Sequence, residues 1–122
     1  MSADQVAQAF VQHYYAKRDS NVDELASLYQ PQSVMTFEGT KVQGSAAIIE
    51  KFKQVGQCQH QVKGMDVQPS TSTSAILIFV TGSIKIGGDN PLHFCQMFQL
   101  VSMGGPSNFY VHNDIFRLNY GL

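Results

Sequence analysis

The sequence predicts an α+β fold, with three helices in the N-terminal half packed on a strongly curved, mostly antiparallel sheet. Two observations carry this. The apolar period is close to 3.6 residues in the first half and close to 2 from Gln59 onward. Helix-like segments also precede an unbroken run of strand-like segments joined only by turn residues, the order of a layered α+β domain rather than of alternating βα units.

The elements follow in chain order. Ser2 reads as a helix N-cap, with Gln5 at the capping-box position. Val6, Phe10 and Tyr14, flanked by Ala7, Val11 and Tyr15, form a wide apolar stripe on a helix of about four turns. Asp19-Ser20-Asn21 interrupts it. Asn21 then caps a second, short helix whose first turn carries Asp23 and Glu24, where they complement the helix dipole. Val22, Leu25, Leu28 and Tyr29 make its buried face, and Pro31 ends it. The stretches SVMTFEG and TKVQG read as a short hairpin. Ser45 is the expected N-cap of the third helix, with Ile48, Ile49, Phe52 and Val55 as its stripe and Gly56 as its end. Strands are expected over Gln59–Gln68, Ala75–Ile86, Leu92–Met103 and Phe109–Tyr120, separated by Pro69 with STSTS, by GGDNP and by GGPSN. Strands of about twelve residues exceed the usual 5–6. A sheet of such strands curls, and helices on its concave face complete a cone.

Composition narrows the function. One domain spanning 1–122 fits the length. The formal net charge is -1 and the eight Lys and Arg are scattered, so there is no basic stripe for nucleic acid. No apolar run approaches the ~20 residues of a membrane span, and MSADQVAQAF lacks the basic start of a secretory signal, so no membrane insertion is expected. Cys58 and Cys95 lack zinc-ligand spacing, as do His13, His60, His93 and His112. Neither metal nor cofactor is expected, and the cysteines read as free, buried thiols.

Two strands are apolar on both faces. AILIFV has no polar residue, and HFCQMFQLV sets Phe94, Gln96, Phe98 and Leu100 on one side against Cys95, Met97 and Val101 on the other. One face meets the helices; the other needs a partner. Sheet-to-sheet pairing with a second copy is the simplest answer, with Phe79 and Met97 in the interface.

The stretch TFEG, Thr36 to Gly39, puts the acid Glu38 directly after a large aromatic. Three readings are open: a general base over an apolar pocket, an acidic rim around a hole that receives a partner, or a solvated strand end. Asp114 and Arg117 stand three apart on a strand and so face opposite sides. Arg117 is expected to meet another acid or a carbonyl, and Asp114 to be a buried acid meeting His60. Tyr14 and Tyr15 read as core aromatics with satisfied hydroxyls.

The order of elements, with QHYY (Gln12 to Tyr15), TFEG, AAIIEK (Ala46 to Lys51), QMF (Gln96 to Phe98) and above all NDIFRLNY (Asn113 to Tyr120), resembles the nuclear transport factor 2 family along essentially the whole chain. The resemblance implies a cone-like, cystatin-like fold and a homodimer that is not an enzyme. It implies a carrier of the GDP form of the small GTPase Ran, which also binds FG-repeat nucleoporins and works in cytoplasm, nucleus and nuclear pores. In that family a phenylalanine of Ran enters the mouth of the cone while flanking basic residues meet rim acids. On that pattern Phe37 lines the hole, Glu38 stands on its rim, Asp89 is a second rim acid, and Leu92, Ile115 and Phe116 fall on cavity positions. Val55 and Cys58 lie near two more. Two departures stand out. Asp89 has Gly87 and Gly88 beside it where the family commonly keeps more acids, and Ala3 replaces a family aromatic that helps bind nucleoporin repeats.

Two other readings remain. The same cone hosts isomerases and dehydratases, which resemble this chain in architecture only; Tyr14 with Asp114 or Glu38 would supply their acid and donor. Related domains also act as dimerisation adaptors in messenger-RNA export.

Overall fold

The structure, a computed structural model, describes residues 2–72, 74–105 and 108–120. Thr73 of the STSTS loop and Pro106 and Ser107 of the GGPSN turn lie outside these. Helix α1 (Ala3–Ser20) starts as its sequence dictates: Gln5 N–H donates to Ser2 Oγ at 3.2 Å and Ser2 N–H donates to Gln5 Oε1 at 3.0 Å. It runs two residues further than expected, because Asp19 and Ser20 stay helical and the break falls at Asn21. A 3-10 helix, Val22–Leu28, follows with Asn21 Oδ1 accepting from Asp23 N–H. Pro31 does not end that helix. Tyr29 already belongs to strand β1 (Tyr29–Phe37), and Pro31 lies inside it. Proline cannot donate to a ladder, and the β1 register shifts between Tyr29 and Val34. The buried Ser33 hydroxyl repairs the gap by donating to Val111 O and accepting from Gln30 N–H.

Strand β1 turns through Glu38 and Gly39 into β2 (Thr40–Gln43), with Phe37 opposite Thr40. Both turn residues have positive φ, 49° for Glu38 and 87° for Gly39, the pattern of a tight two-residue hairpin. Helix α2 (Ser45–Val55) is capped by Gly44 rather than Ser45. Ser45 is its first helical residue, and the hydroxyl donates instead to Ala26 O at 2.7 Å, tying α2 to the 3-10 helix. Four long strands complete the chain: β3 (Cys58–Pro69), β4 (Ala75–Ile86), β5 (Leu92–Ser102) and β6 (Phe109–Asn119). The six-stranded sheet has the order β2-β1-β6-β5-β4-β3. All pairs are antiparallel except β1 with β6.

Alternation sorts these strands into two faces. Ile76, Ile78, Val80 and Ile84 of β4, Phe94, Phe98 and Leu100 of β5, and Val111 and Phe116 of β6 are buried with the helix residues Val11, Tyr14, Tyr15, Ile48 and Phe52. The other face carries Phe79, Met97 and Ile115 side by side across three strands. Phe79 is 43% exposed and Ile115 42%. The expected bare apolar face is therefore present. Cys58 is buried, but Cys95 is only half-buried on that outer face; both are free.

Curvature has local causes. The β3–β4 register shifts between Val62 and Gly64, and the β5–β6 register between Gln99 and Leu100. Between them Gly82 lets β3 close in: a Cβ there would stand 2.1 Å from Gln61 O and 3.1 Å from the Phe94 ring. Gly82→Ala is expected to destabilise the fold by about 1–3 kcal/mol, read by urea unfolding, because backbone cannot yield as a flexible side chain does.

Candidate functional site

The C-terminal ends of β1, β4 and β6 and the N-terminal ends of β3 and β5 meet at one end of the sheet, as the register requires. On the inner face there, three rings form a stack. Phe37 lies parallel to Phe116, with centroids 4.7 Å apart and planes 2° apart, and Phe116 lies 5.6 Å from Phe94 at 13°. The parallel β1–β6 pairing creates the first contact, because Phe37 and Phe116 are register partners. Phe116 and Phe94 are buried, whereas Phe37 is half-buried. Lys51, one turn from the end of α2, holds its ammonium 5.6 Å from the Phe37 ring centroid.

Glu38 is not a free acid. Its N–H donates to Phe116 O at 3.0 Å, and its Oε1 accepts from the Leu118 N–H, so both backbone and side chain extend the β1–β6 ladder around the turn. Its Oε2 faces Arg117 Nη1 at 3.7 Å. Arg117 thus meets another acid, as expected. Asp89 sits exposed in the turn between β4 and β5, its N–H donating to Ile86 O at 3.2 Å. Leu92 is half-buried against the core on the same face as Phe94. Phe37, Glu38, Asp89, Leu92 and Phe116 therefore share one end of the fold.

Ile115 does not join them. It alternates with its neighbours Asp114 and Phe116 and so points to the outer face, where Met97 is its register partner. It belongs with Phe79 rather than with the ring stack. Phe94 was missed as a site residue, although its inward face was legible from the spacing of Leu92, Phe94 and Gln96.

Behind the stack lies a polar cluster. Asp114 is 0% exposed and accepts from Tyr29 OH at 2.7 Å and Gln96 Nε2 at 2.8 Å, with Tyr14 OH at 3.5 Å. Tyr14 and Tyr29 hydroxyls are 2.9 Å apart, and Tyr15 OH donates to Gln96 Oε1 at 2.7 Å. Burial raises the Asp114 carboxyl to about 6, against the lowering pull of the Gln96, Tyr29 and Tyr14 hydrogen bonds. Burial also pushes the Tyr14, Tyr15 and Tyr29 hydroxyls well above their ordinary value. His60 is not the partner of Asp114. It meets Asp19 instead, with Nδ1 2.6 Å from Oδ1 and its backbone N–H donating to Oδ2 at 2.7 Å.

The Tyr–Asp pairing that acid–base chemistry on this fold would use is therefore assembled, but every member is at most 5% exposed and saturated by its neighbours. It works as a core network. Arg18, likewise buried, lies 4.8 Å over the Phe52 ring and donates to Gly56 O and Cys58 Sγ, each at 3.4 Å. Among the described residues no cluster of three or more His, Cys, Asp or Glu can hold a metal ion, and no helix is long and apolar enough to cross a membrane.

Fold and site together define a class: an α+β cone, closed on one sheet face by helices, with an aromatic stack at one end and a bare apolar patch on the opposite face. Within it, the chain belongs to the nuclear transport factor 2 family, whose domain model, Nuclear transport factor 2 (NTF2) domain, matches residues 6–118. It is 52% identical to Nuclear transport factor 2 of Oryza sativa subsp. japonica, over 99% of this chain and 100% of that one. It is 46% identical to Nuclear transport factor 2B of Arabidopsis thaliana, over 98% and 97%. The solved structure of nuclear transport factor 2 from Cryptosporidium parvum superposes with a TM-score of 0.87 at 40% identity, covering 96% of this chain and 94% of that one.

The buried acid makes a measurable prediction. A carboxyl at about 6 in the native state and 3.8 when unfolded keeps its proton between those values only in the folded chain. The contribution of Asp114 to stability is therefore greatest below about pH 4, falls as pH rises towards 6, and levels beyond it. The stability of wild type minus that of Asp114→Asn is expected to drop by about 2 kcal/mol from pH 4 to pH 7, measured by urea unfolding. A difference that does not vary with pH would refute it.

Proposed function

We propose that this chain is a homodimeric nuclear transport factor that binds the GDP form of Ran and FG-repeat nucleoporins and carries Ran into the nucleus, with no catalytic activity of its own. The observation that carries the reading is the full-length match to relatives named as nuclear transport factors, the rice protein foremost. The mouth is consistent with it. Phe37 offers a half-exposed ring over a buried stack, to which a partner's phenylalanine adds; burying one such side chain contributes roughly 1.5–3 kcal/mol. Glu38 and Asp89 at the same end orient a basic partner, each contributing only about 0.2–1 kcal/mol. Phe37, Glu38, Asp89, Leu92 and Phe116 form the Ran site in this reading, and Phe79 and Met97, joined by Ile115, form the homodimer interface. Nucleoporin repeats bind a separate patch that lacks the family aromatic at Ala3, and the two copies in a dimer compensate through avidity. The carrier passes between cytoplasm and nucleus by way of the pores.

The saturated Asp114 network speaks against the enzyme reading. The bare sheet face suits self-pairing as well as it suits a heterodimeric adaptor, so solution mass is the discriminating measurement. Calorimetric titration with Ran loaded with GDP or with GTP tests the carrier directly: micromolar or tighter binding, about -8 kcal/mol, is expected for the GDP form alone. Equal binding of both forms, or of neither, would overturn it. Glu38→Lys is expected to abolish binding while the protein still elutes as a dimer. Glu38→Gln, which keeps an acceptor for the Leu118 N–H, is expected to weaken binding about two- to five-fold.

A further inference from the structure

Glu38 divides its two carboxylate oxygens between different tasks. Oε1 is committed to the backbone, where it accepts from the Leu118 N–H. Oε2 has the Arg117 guanidinium at 3.7 Å, too long for a hydrogen bond but close enough for an ion pair. The two partners differ in freedom. The Glu38 side chain is 26% exposed and held by its backbone contact, whereas the Arg117 side chain is 58% exposed. Arg117 approaches from the outer face, since alternation sets it opposite Phe116, and its Cα partner there is Cys95. The guanidinium lies over Gly39: a Cβ on that turn residue would stand 3.7 Å from Nη2, an ordinary van der Waals contact. The guanidinium therefore lies across an open turn, loosely paired, and can swing into solvent without disturbing the rings of the mouth.

We infer that Arg117 is a placeholder cation, which neutralises the free oxygen of Glu38 in the unliganded chain and is displaced by a cation of the incoming partner. The inference rests on the carrier reading. Arg117 lowers affinity, because the partner's cation gains only the difference between two ion pairs. It also sharpens selection, because a partner that covers the mouth without bringing a cation breaks the resident pair and replaces it with nothing. Exchange of one solvent-exposed pair for another is small in energy, so the effect is a modest factor that shrinks as salt rises.

The test is a four-protein cycle: wild type, Arg117→Gln, Glu38→Gln and the double variant, each titrated with Ran loaded with GDP. Arg117→Gln is expected to tighten binding about two- to five-fold when Glu38 is present and to change nothing when Gln occupies that position. Unchanged or weaker binding of Arg117→Gln beside a wild type that binds would overturn the placeholder, since Arg117 would then be orienting the acid rather than occupying it. Equal tightening in both backgrounds would also overturn it, because the gain would come from net charge alone. Absence of binding in all four proteins would sink the carrier reading and this inference with it, an outcome separate from the other two.

Discussion

The arrangement depends on one buried carboxylate. Asp114 on β6 collects hydrogen bonds from Tyr29 on β1 and Gln96 on β5, with Tyr14 on α1 at the limit of reach, and Gln96 is held in turn by Tyr15. Apolar burial alone is indifferent to small slips of a helix over a sheet. A charge that needs every donor around it is not, because losing one leaves a buried polar group unsatisfied. The network therefore fixes how α1 lies across β5 and β6, and it pins the parallel β1–β6 pairing, which lacks a hairpin to set its register. That register in turn sets Phe37 on Phe116.

The mouth inherits its properties from this pairing. Phe37 is stacked on Phe116 and has the Lys51 ammonium 5.6 Å from its ring centroid, so it is an aromatic surface of defined orientation. Glu38 occupies a left-handed turn position that few side chains favour. The strain is offset where its N–H and carboxylate both bind β6, which makes the acid a structural member of the sheet as well as a charge near the mouth.

Much of this was legible in the sequence. Caps, apolar periods and turn residues located most helices and strands to within a residue or two, β1 excepted, which starts four residues ahead of the expected SVMTFEG, and alternation alone separated Phe94 and Phe98 from Cys95 and Met97. The failures share a cause. Pro31, Ser45, Asp114 and His60 are polar or special residues whose local signals are ambiguous, and their roles were decided by partners far along the chain. Ser45 had a cap within reach and bonded Ala26 instead; His60 found Asp19 at the end of α1. The misplacement of Ile115 was of another kind, because simple alternation from Phe116 already set it on the far face. The ring stack was not legible, since it arises from a parallel pairing between segments some eighty residues apart, and no local pattern announces such a pairing.

Strand β6 serves both surfaces of the protein. Asp114 and Phe116 point into the cone, while Ile115 and Arg117 point out of it. Adjacent residues can therefore vary in chemistry without interfering, but the strand cannot vary in length. From Asn113 onward the register with β5 is unbroken, and a one-residue slip there, not absorbed by the bulge at His112, would exchange the two sets, sending the buried acid to the surface and an exposed isoleucine into its network. Substitution within β6 is thus better tolerated by this chain than a slip of its register, whereas the turns, such as the one that carries Asp89, can gain or lose residues without moving either set.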